Sequence, residues 1–253
     1  MKIKFSVNQL FCVVCAALML ACNSNQNPER SLTNINNDWL YLENNTEDLN
    51  AARKQEHWNH VNLPHTWNAL DATDITPGYR RSASWYKKEL DIVKVIPNQK
   101  YQLYFEGVNI ESEVYVNGKK VGGHIGGYIG FRVDITDVIS KGKNEVLVRA
   151  DNSYNPEVIP SQKSDFFIFG GITRDVWLET LPLQHLENLK ITTPQVSKNN
   201  AELEAEVLVS DIGEGSDLKI IASLSNPKGE IVTTSNFDIA NHTSKIIFKD
   251  IKN

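Results

Sequence analysis

Asp165 is the residue whose neighbours in the sequence most suggest binding chemistry. Two phenylalanines follow it directly, and a pair of glycines comes a few residues later. A carboxylate among aromatic side chains is costly unless a partner replaces its lost hydration, and sugar hydroxyls are suitable partners. The other interpretation is that Asp165 caps a turn or pairs with Lys163 or Arg174. The residues alone leave both interpretations open.

Three histidines form the second group that could do chemistry: His57, His60 and His65. Their segment shows no helical or ribbon pattern that would direct all three at one ion, so a structural or solvent-exposed role is expected rather than zinc binding. All three cysteines lie in the first 22 residues. The rest of the chain therefore lacks cysteine ligands and disulfides, and we expect neither a metal nor a cofactor.

The stretch 103–131 contains the elements that would position such residues. Leu103 and Phe105 alternate with polar residues, and the same alternation returns over 113–117. A period of two residues predicts half-buried strands. Asn117-Gly118 then predicts a tight hairpin, because both residue types tolerate positive φ. The five glycines that follow indicate either a loop joining two strands or a binding loop.

Composition and periodicity set the fold class. The chain has 253 residues, 41% hydrophobic and 23% charged, which is typical of globular protein and allows one sizeable domain and part of another. No segment keeps an apolar period of 3.6 residues, so we predict an all-β protein. The net charge is −5 and the basic residues form no stripe, so nucleic-acid binding is not expected.

Four phrases, in one order, resemble the sugar-binding domain of glycoside hydrolase family two, the family of β-galactosidases, β-glucuronidases and β-mannosidases. The most specific reads FGGITRDVWL. The resemblance extends from about Trp39 to Leu181. It implies a jelly-roll, galactose-binding-like β-sandwich over residues 38–182. The four phrases are Val61–Trp67, Tyr79–Tyr86, Phe105–Thr136 and Phe169–Leu178.

Leu181-Pro182 marks a predicted domain boundary. The short, regularly spaced strands that follow are typical of an immunoglobulin-like sandwich, which needs about seven of them. Only five can be counted, so we predict residues 183–253 to be an incomplete immunoglobulin-like sandwich. In the family, a catalytic (β/α)8 barrel would follow. The predicted strands are Leu189–Thr192, Ala201–Val209, Leu218–Leu224, Glu230–Thr234 and Ser244–Phe248.

The resemblance also implies where catalysis would reside. Family members use two glutamates of the barrel, of which the acid/base follows an Asn. Asn144-Glu145 is the only Asn-Glu pair here, and it opens an alternating strand after Lys141-Gly142-Lys143, so we interpret it as a turn and a solvated face. No serine lies in a nucleophile elbow either. We therefore expect no catalytic residue within this chain.

Two residues are candidates for substrate binding. In family members that resemble this chain, an Asp at the place of Asp165 reaches from the jelly roll into the active site of the barrel and holds the substrate. Asn68, directly after the Pro64–Trp67 phrase, is a second candidate for that role. Arg174 offers a planar donor fork for a partly buried carboxylate or carbonyl.

The first residues indicate export. Lys2 and Lys4 precede a short apolar stretch that ends at Cys22, a pattern typical of a bacterial lipoprotein signal. An ordinary cleaved secretory signal is the alternative. The stretch falls short of the roughly 20 apolar residues that a membrane span needs. We predict a signal peptide over 1–21, a lipid on Cys22, a polar tether over 22–37, and a membrane-anchored location on the periplasmic or outer-membrane side.

Two functional hypotheses follow. The first is the N-terminal, non-catalytic portion of an exported family-two β-glycosidase, most similar to a β-galactosidase, whose partners are a β-linked glycan and the catalytic barrel. The second is a free-standing carbohydrate-binding or scaffold lipoprotein without hydrolase activity. The sequence does not assign the sugar, because loops of the barrel determine that choice.

Overall fold

The computed structural model describes residues 30–71, 73, 75, 78–159, 167–210, 218–239 and 243–251. Cys22 and Asp165 lie outside these ranges. Within them the secondary structure consists of strands and one short helix, as the all-β prediction expects. None of the helical structure in these ranges is long and apolar enough to cross a membrane.

The first sandwich comprises the elements up to Pro182. Its one described helix is α1 (Leu49–Arg53), which begins at the capping carboxylate of Asp48. Its strands are β1 (Ser31–Asn34), β2 (Trp39–Leu42), β3 (Asn59–Val61), β4 (Ala83–Ile92), β5 (Gln99–Phe105), β6 (Val108–Asn109), β7 (Glu111–Val116), β8 (Lys119–Ile125), β9 (Phe131–Asp134), β10 (Gly142–Asp151), β11 (Gly171–Ile172) and β12 (Val176–Pro182).

Two antiparallel sheets enclose the core of this sandwich. One has the strand order β1-β12-β5-β9 and the other has the order β3-β2-β4-β10-β7-β8, while β6 and β11 form a separate pair. Leu103 and Phe105 of the first sheet belong to one apolar cluster with Tyr86, Val114 and Val148 of the second. The alternation predicted for β5 and β7 is therefore confirmed, and its apolar face is the core.

The predicted hairpin joins β7 to β8. Asn117 and Gly118 have φ values of 51° and 81°, so both lie in the left-handed region that this kind of turn requires. The glycine-rich stretch after the turn is not simply a loop, because β8 continues through Gly122 and Gly123. Gly123 lies so close to β7 that a β-carbon there would be 2.3 Å from the carbonyl oxygen of Ser112.

Part of the predicted tether belongs to the sandwich. Strand β1 pairs with β12 in a register that places Ser31 opposite Thr180. Arg30, directly before the strand, forms an ion pair with Glu179. The folded region therefore begins before Asp38. The four residues of β1 have no apolar alternation, because the strand lies exposed at the edge of the sheet.

The second sandwich contains the five strands that the sequence predicts, of which one has the predicted bounds, two are wider at both ends, and two begin and end later than predicted. Sheet order is β13-β14-β17 in one sheet and β15-β16 in the other. Ala205, Val207 and Ile246 lie in its small buried core, against which Ile220 and Phe237 of the other sheet pack. The strands are β13 (Leu186–Val196), β14 (Ala201–Val209), β15 (Lys219–Ser225), β16 (Ile231–Asp238) and β17 (Thr243–Ile251).

Candidate functional site

Four connections of the first sandwich lie at one end, which we call the loop end. Strands β5, β8 and β10 finish there, and β4, β7, β9 and β12 begin there, because each antiparallel pairing places the end of one strand beside the start of its neighbour. The loop end comprises the described parts of residues 68–82, 106–110, 126–130 and 152–175. Of the two candidate substrate-binding residues, Asn68 lies in the first of these ranges, and Asp165 lies outside the described residues.

The loop end exposes an unusual number of large apolar side chains. Seven of them are at least 42% exposed. Scattered exposed apolar residues are normal, but a group from three adjoining connections is typical of a surface that takes part in an interaction. The seven are Leu70, Ile75, Tyr128, Ile129, Tyr154, Ile159 and Phe169.

Aromatic rings and an arginine flank the segment that contains Asp165. Phe167, the first described residue after that segment, packs against Tyr79 with 4.7 Å between ring centroids. The Arg81 Nε donates to the Tyr79 hydroxyl at 3.0 Å. The same guanidinium lies 6.0 Å from the centroid of the Tyr154 ring. A positive charge and three aromatic rings therefore lie beside the residues that flank Asp165.

Asn68 is fully buried at the loop end, and its amide is engaged within the chain. Its Oδ1 accepts hydrogen bonds from the Gly170 N–H at 2.9 Å and from the Thr66 hydroxyl at 2.8 Å. Its Nδ2 donates to the Ile168 carbonyl oxygen at 3.3 Å. Asn68 therefore holds the backbone of Ile168 and Gly170, which follow the Asp165 segment in the sequence. A direct contact of Asn68 with substrate stays a prediction.

Arg174 differs from the expectation. It is exposed, and its side chain lies along Gly107, where a β-carbon would be 3.2 Å from the Arg174 Cδ. Among the described carboxylates, none lies within ion-pair distance of Arg174. The partly buried carboxylate that the sequence suggests for this residue is therefore not present in the described part of the chain.

Comparison with known proteins identifies the family. The model of the glycosyl hydrolases family 2 sugar binding domain matches residues 34–182. This match covers the whole first sandwich from the end of β1 onward. The chain belongs to glycosyl hydrolase family 2.

Relatives of this family 2 chain are named for two activities. It is 64% identical over 224 residues to a "Putative beta-glucuronidase" of Formosa agariphila, covering 88% of this chain and 27% of the relative. It is 31% identical over 225 residues to a β-galactosidase of Thermoanaerobacter pseudethanolicus, covering 86% of this chain and 30% of the relative. The chain spans less than a third of the length of either relative.

A solved family 2 structure has the same fold over most of this chain. The β-glucuronidase of Parabacteroides merdae superposes with a TM-score of 0.75 at 27% sequence identity. The superposition covers 87% of this chain and 31% of that protein. It includes both sandwiches, since the first accounts for only part of that coverage.

Asn144-Glu145 has a structural role in this family 2 domain. Asn144 is fully buried and its Nδ2 donates to the carbonyl oxygens of Ser140 and Gly142 at 2.8 and 2.9 Å. The pair does lie at a turn, as the sequence suggests, but the solvated position expected for Asn144 is wrong. Its amide satisfies buried backbone groups of the turn before β10, at the end of the sandwich opposite the loop end.

The three histidines do not converge. His57 and His60 are exposed, whereas the half-buried His65 shares a hydrogen bond of 2.8 Å between its Nδ1 and the Tyr86 hydroxyl. Burial lowers the pKa of His65 below its usual value. Across the described ranges, no group of three histidines, cysteines or acidic residues is arranged to hold a metal ion.

Proposed function

We propose that this chain is the N-terminal, non-catalytic part of an exported family 2 β-glycosidase that hydrolyses β-linked glycans. The observation that carries the proposal is the family match over 34–182 in a chain that spans 27% of a relative 64% identical to it. The remaining length of such a relative is sufficient for a catalytic domain. The two catalytic glutamates would lie in that domain.

The loop end is the surface on which we expect the catalytic barrel to pack. Its seven exposed apolar residues come from connections, where polar residues are the norm for a surface open to water. Burying them against a second domain would remove their apolar area from water. The same packing would bring the segment 160–166, which contains Asp165, to the barrel.

Asp165 is expected to bind the substrate in the completed active site. Support comes from its flanks, where Tyr79, Phe167 and the Arg81 guanidinium offer aromatic faces and hydrogen-bond donors of the kind that sugars contact. The Asp165→Asn variant of the full-length protein tests this role. A kcat/KM within about threefold of wild type, with folding intact, would correspond to less than about 1 kcal/mol and would exclude it.

Export and lipidation complete the proposal. A glycan-degrading enzyme meets polymeric substrate outside the cytoplasm, and the sequence before Cys22 is typical of a lipoprotein signal. We expect the mature protein to be held at a bacterial membrane through a lipid on Cys22, on the periplasmic or outer-membrane side.

The decisive experiment extends the reading frame and measures hydrolysis. The DNA downstream of residue 253 is sequenced, and the full-length protein is assayed with aryl β-galactoside and aryl β-glucuronide. Both are needed, because the Formosa agariphila relative is named for glucuronide hydrolysis and the Thermoanaerobacter pseudethanolicus relative for galactoside hydrolysis. The 253-residue chain serves as the inactive control. A frame that encodes no barrel, together with glycan binding by the chain itself, would instead favour the free-standing carbohydrate-binding lipoprotein.

A further inference from the structure

Residues 168–170 follow the segment that contains Asp165 and belong to no strand. Ile168 is 1% exposed and Gly170 is buried, whereas the Phe169 side chain between them is exposed. Buried backbone N–H and C=O groups outside a sheet ladder need other hydrogen-bond partners, since an unpaired buried group destabilises the fold. The partners of this backbone therefore determine how firmly it is held.

Two buried asparagines bond to the first and last of these residues. The Asn152 Nδ2 donates to the Ile168 carbonyl oxygen at 3.0 Å, and the Asn68 Nδ2 donates to the same oxygen at 3.3 Å. The Asn68 Oδ1 accepts from the Gly170 N–H at 2.9 Å. Both asparagines are fully buried.

A third asparagine bonds to the residue between them. The Asn109 Nδ2 donates to the Phe169 carbonyl oxygen at 2.6 Å, and Asn109 is 3% exposed. The three asparagines come from different places, since Asn68 precedes β4, Asn109 ends β6 and Asn152 follows β10. Together they form hydrogen bonds with the backbone of all three residues, 168, 169 and 170.

In this arrangement, side-chain amides provide the hydrogen bonds that a neighbouring strand would provide in a sheet. An asparagine amide carries the same donor and acceptor as a peptide group, so it can pair with backbone where no neighbouring strand is in reach. Close packing accompanies these bonds. A β-carbon on Gly170 would lie 2.1 Å from Trp67 Cζ2 and 2.7 Å from Asn152 Cγ. The backbone therefore has little freedom to shift toward either side chain.

We propose that Asn68, Asn109 and Asn152 form an asparagine clamp, a set of positioning residues that fixes where the segment 160–166 rejoins the sandwich. This inference rests on the proposed function, in which Asp165 of that segment contacts the substrate. In this proposal the clamp residues act through Asp165, and the direct contact of Asn68 with substrate is a separate prediction. A displacement of even 1 Å in a substrate-positioning group lowers catalysis about a hundredfold.

The test compares Asn109→Ala and Asn152→Ala with Asn144→Ala. Asn144 is an equally buried asparagine with hydrogen bonds to backbone, but it lies at the opposite end of the sandwich. Asn109→Ala is the milder clamp variant, because the Asn109 Oδ1 has no hydrogen-bond partner to lose. Asn152→Ala also loses the hydrogen bonds of Asn152 to the backbone of Ser82 and Arg80. If that variant fails to fold, Asn109→Ala still tests the proposal.

Hydrogen exchange and kinetics give the two readouts. In the 253-residue chain, amides of residues 167–171 should exchange at least about tenfold faster in the clamp variants, an opening cost of about 1.4 kcal/mol, and remain unchanged in Asn144→Ala. In the full-length protein, the clamp variants should raise KM more than they lower kcat. Their effect should also vanish in an Asp165→Asn background, since a clamp cannot position a carboxylate that is absent.

The outcomes separate the inference from the proposed function. A full-length wild-type protein that hydrolyses neither aryl glycoside refutes the proposed function, and the positioning role with it. An active wild type whose Asn109→Ala variant retains the kcat/KM of Asn144→Ala refutes the clamp alone. An Asn109→Ala effect that is fully additive with Asp165→Asn also refutes it, because it would show a general loss of structure.

Discussion

Replacing Glu179 should measurably loosen the attachment of the N-terminal strand. The Glu179 carboxylate is 3% exposed and accepts from Arg30 Nη2 at 2.7 Å and from Arg132 Nε at 2.8 Å. A hydrogen bond to a charged group contributes about 1.5–3 kcal/mol. Because the Arg30 and Arg132 side chains are 58% and 46% exposed, both can regain water when the carboxylate is lost. We therefore expect Glu179→Gln to cost about 2 kcal/mol in total.

The loss should depend on pH in a defined direction. Burial would raise the pKa of Glu179, but the hydrogen bonds from Arg30 and Arg132 outweigh it and hold the pKa below its usual value. A carboxyl whose pKa is lower in the folded than in the unfolded state stabilises the fold above the unfolded pKa, about 4.3. That stabilisation disappears as the pH falls through the folded-state pKa. The difference between wild type and Glu179→Gln should therefore shrink in acid.

Urea denaturation at pH 7 and at acidic pH measures both effects. Glu89→Gln is the matched control, because Glu89 pairs with Lys143 at 2.8 Å but the two side chains are 60% and 74% exposed. Water screens an exposed pair of this kind, so its contribution to stability is small. The reasoning is refuted if Glu179→Gln costs no more than Glu89→Gln at pH 7, or if its cost is the same at both pH values.

Three further outcomes are expected. Gly170→Ala should destabilise the chain by about 3 kcal/mol in urea denaturation, because the added β-carbon would collide with Trp67. The control is Gly142→Ala, whose β-carbon meets nothing within 4 Å but whose φ of 91° should cost about 1 kcal/mol. Equal losses in the two variants would contradict the role of the Trp67 contact. Burial and the Glu113 hydrogen bond raise the pKa of Tyr115 to about 12, so ultraviolet titration of wild type minus Tyr115→Phe should show a transition there and not near 10. Mass spectrometry of the mature N-terminus should find lipid on Cys22; an unmodified terminus at another residue would contradict lipidation.

The strands that form the core could be predicted because their periodicity is local. Leu103, Phe105, Val114 and Val116 alternate in the sequence, and burial of that face is what produces the alternation. The Asn117-Gly118 hairpin could also be predicted, because positive φ restricts the residue types at a turn. Local rules were sufficient for these elements.

Tertiary pairing decided what the sequence could not show. Ser31–Asn34 is a strand because β12 offers an edge and Glu179 offers a charge to Arg30, and neither is visible in four polar residues. The sequence predicts Asn144 to be a solvated turn residue, since asparagine is common in turns. Its burial follows from the backbone groups that its amide satisfies. The sequence does not show the roles of Asn109 and Asn152 for the same reason, because their backbone partners are distant in the sequence.

The loop end combines two properties that a catalytic partner would require of it. Its exposed side chains are apolar and can be covered, while the backbone of residues 168 and 169 accepts hydrogen bonds from buried asparagine amides. When the backbone next to a binding segment is already rigid, more of the binding energy goes to the ligand, because little of it is spent on ordering the protein. If contacts with the covering domain alone held residues 168–170, part of the free energy of domain docking would be spent on ordering this backbone. Asparagine side chains from within the sandwich remove that dependence.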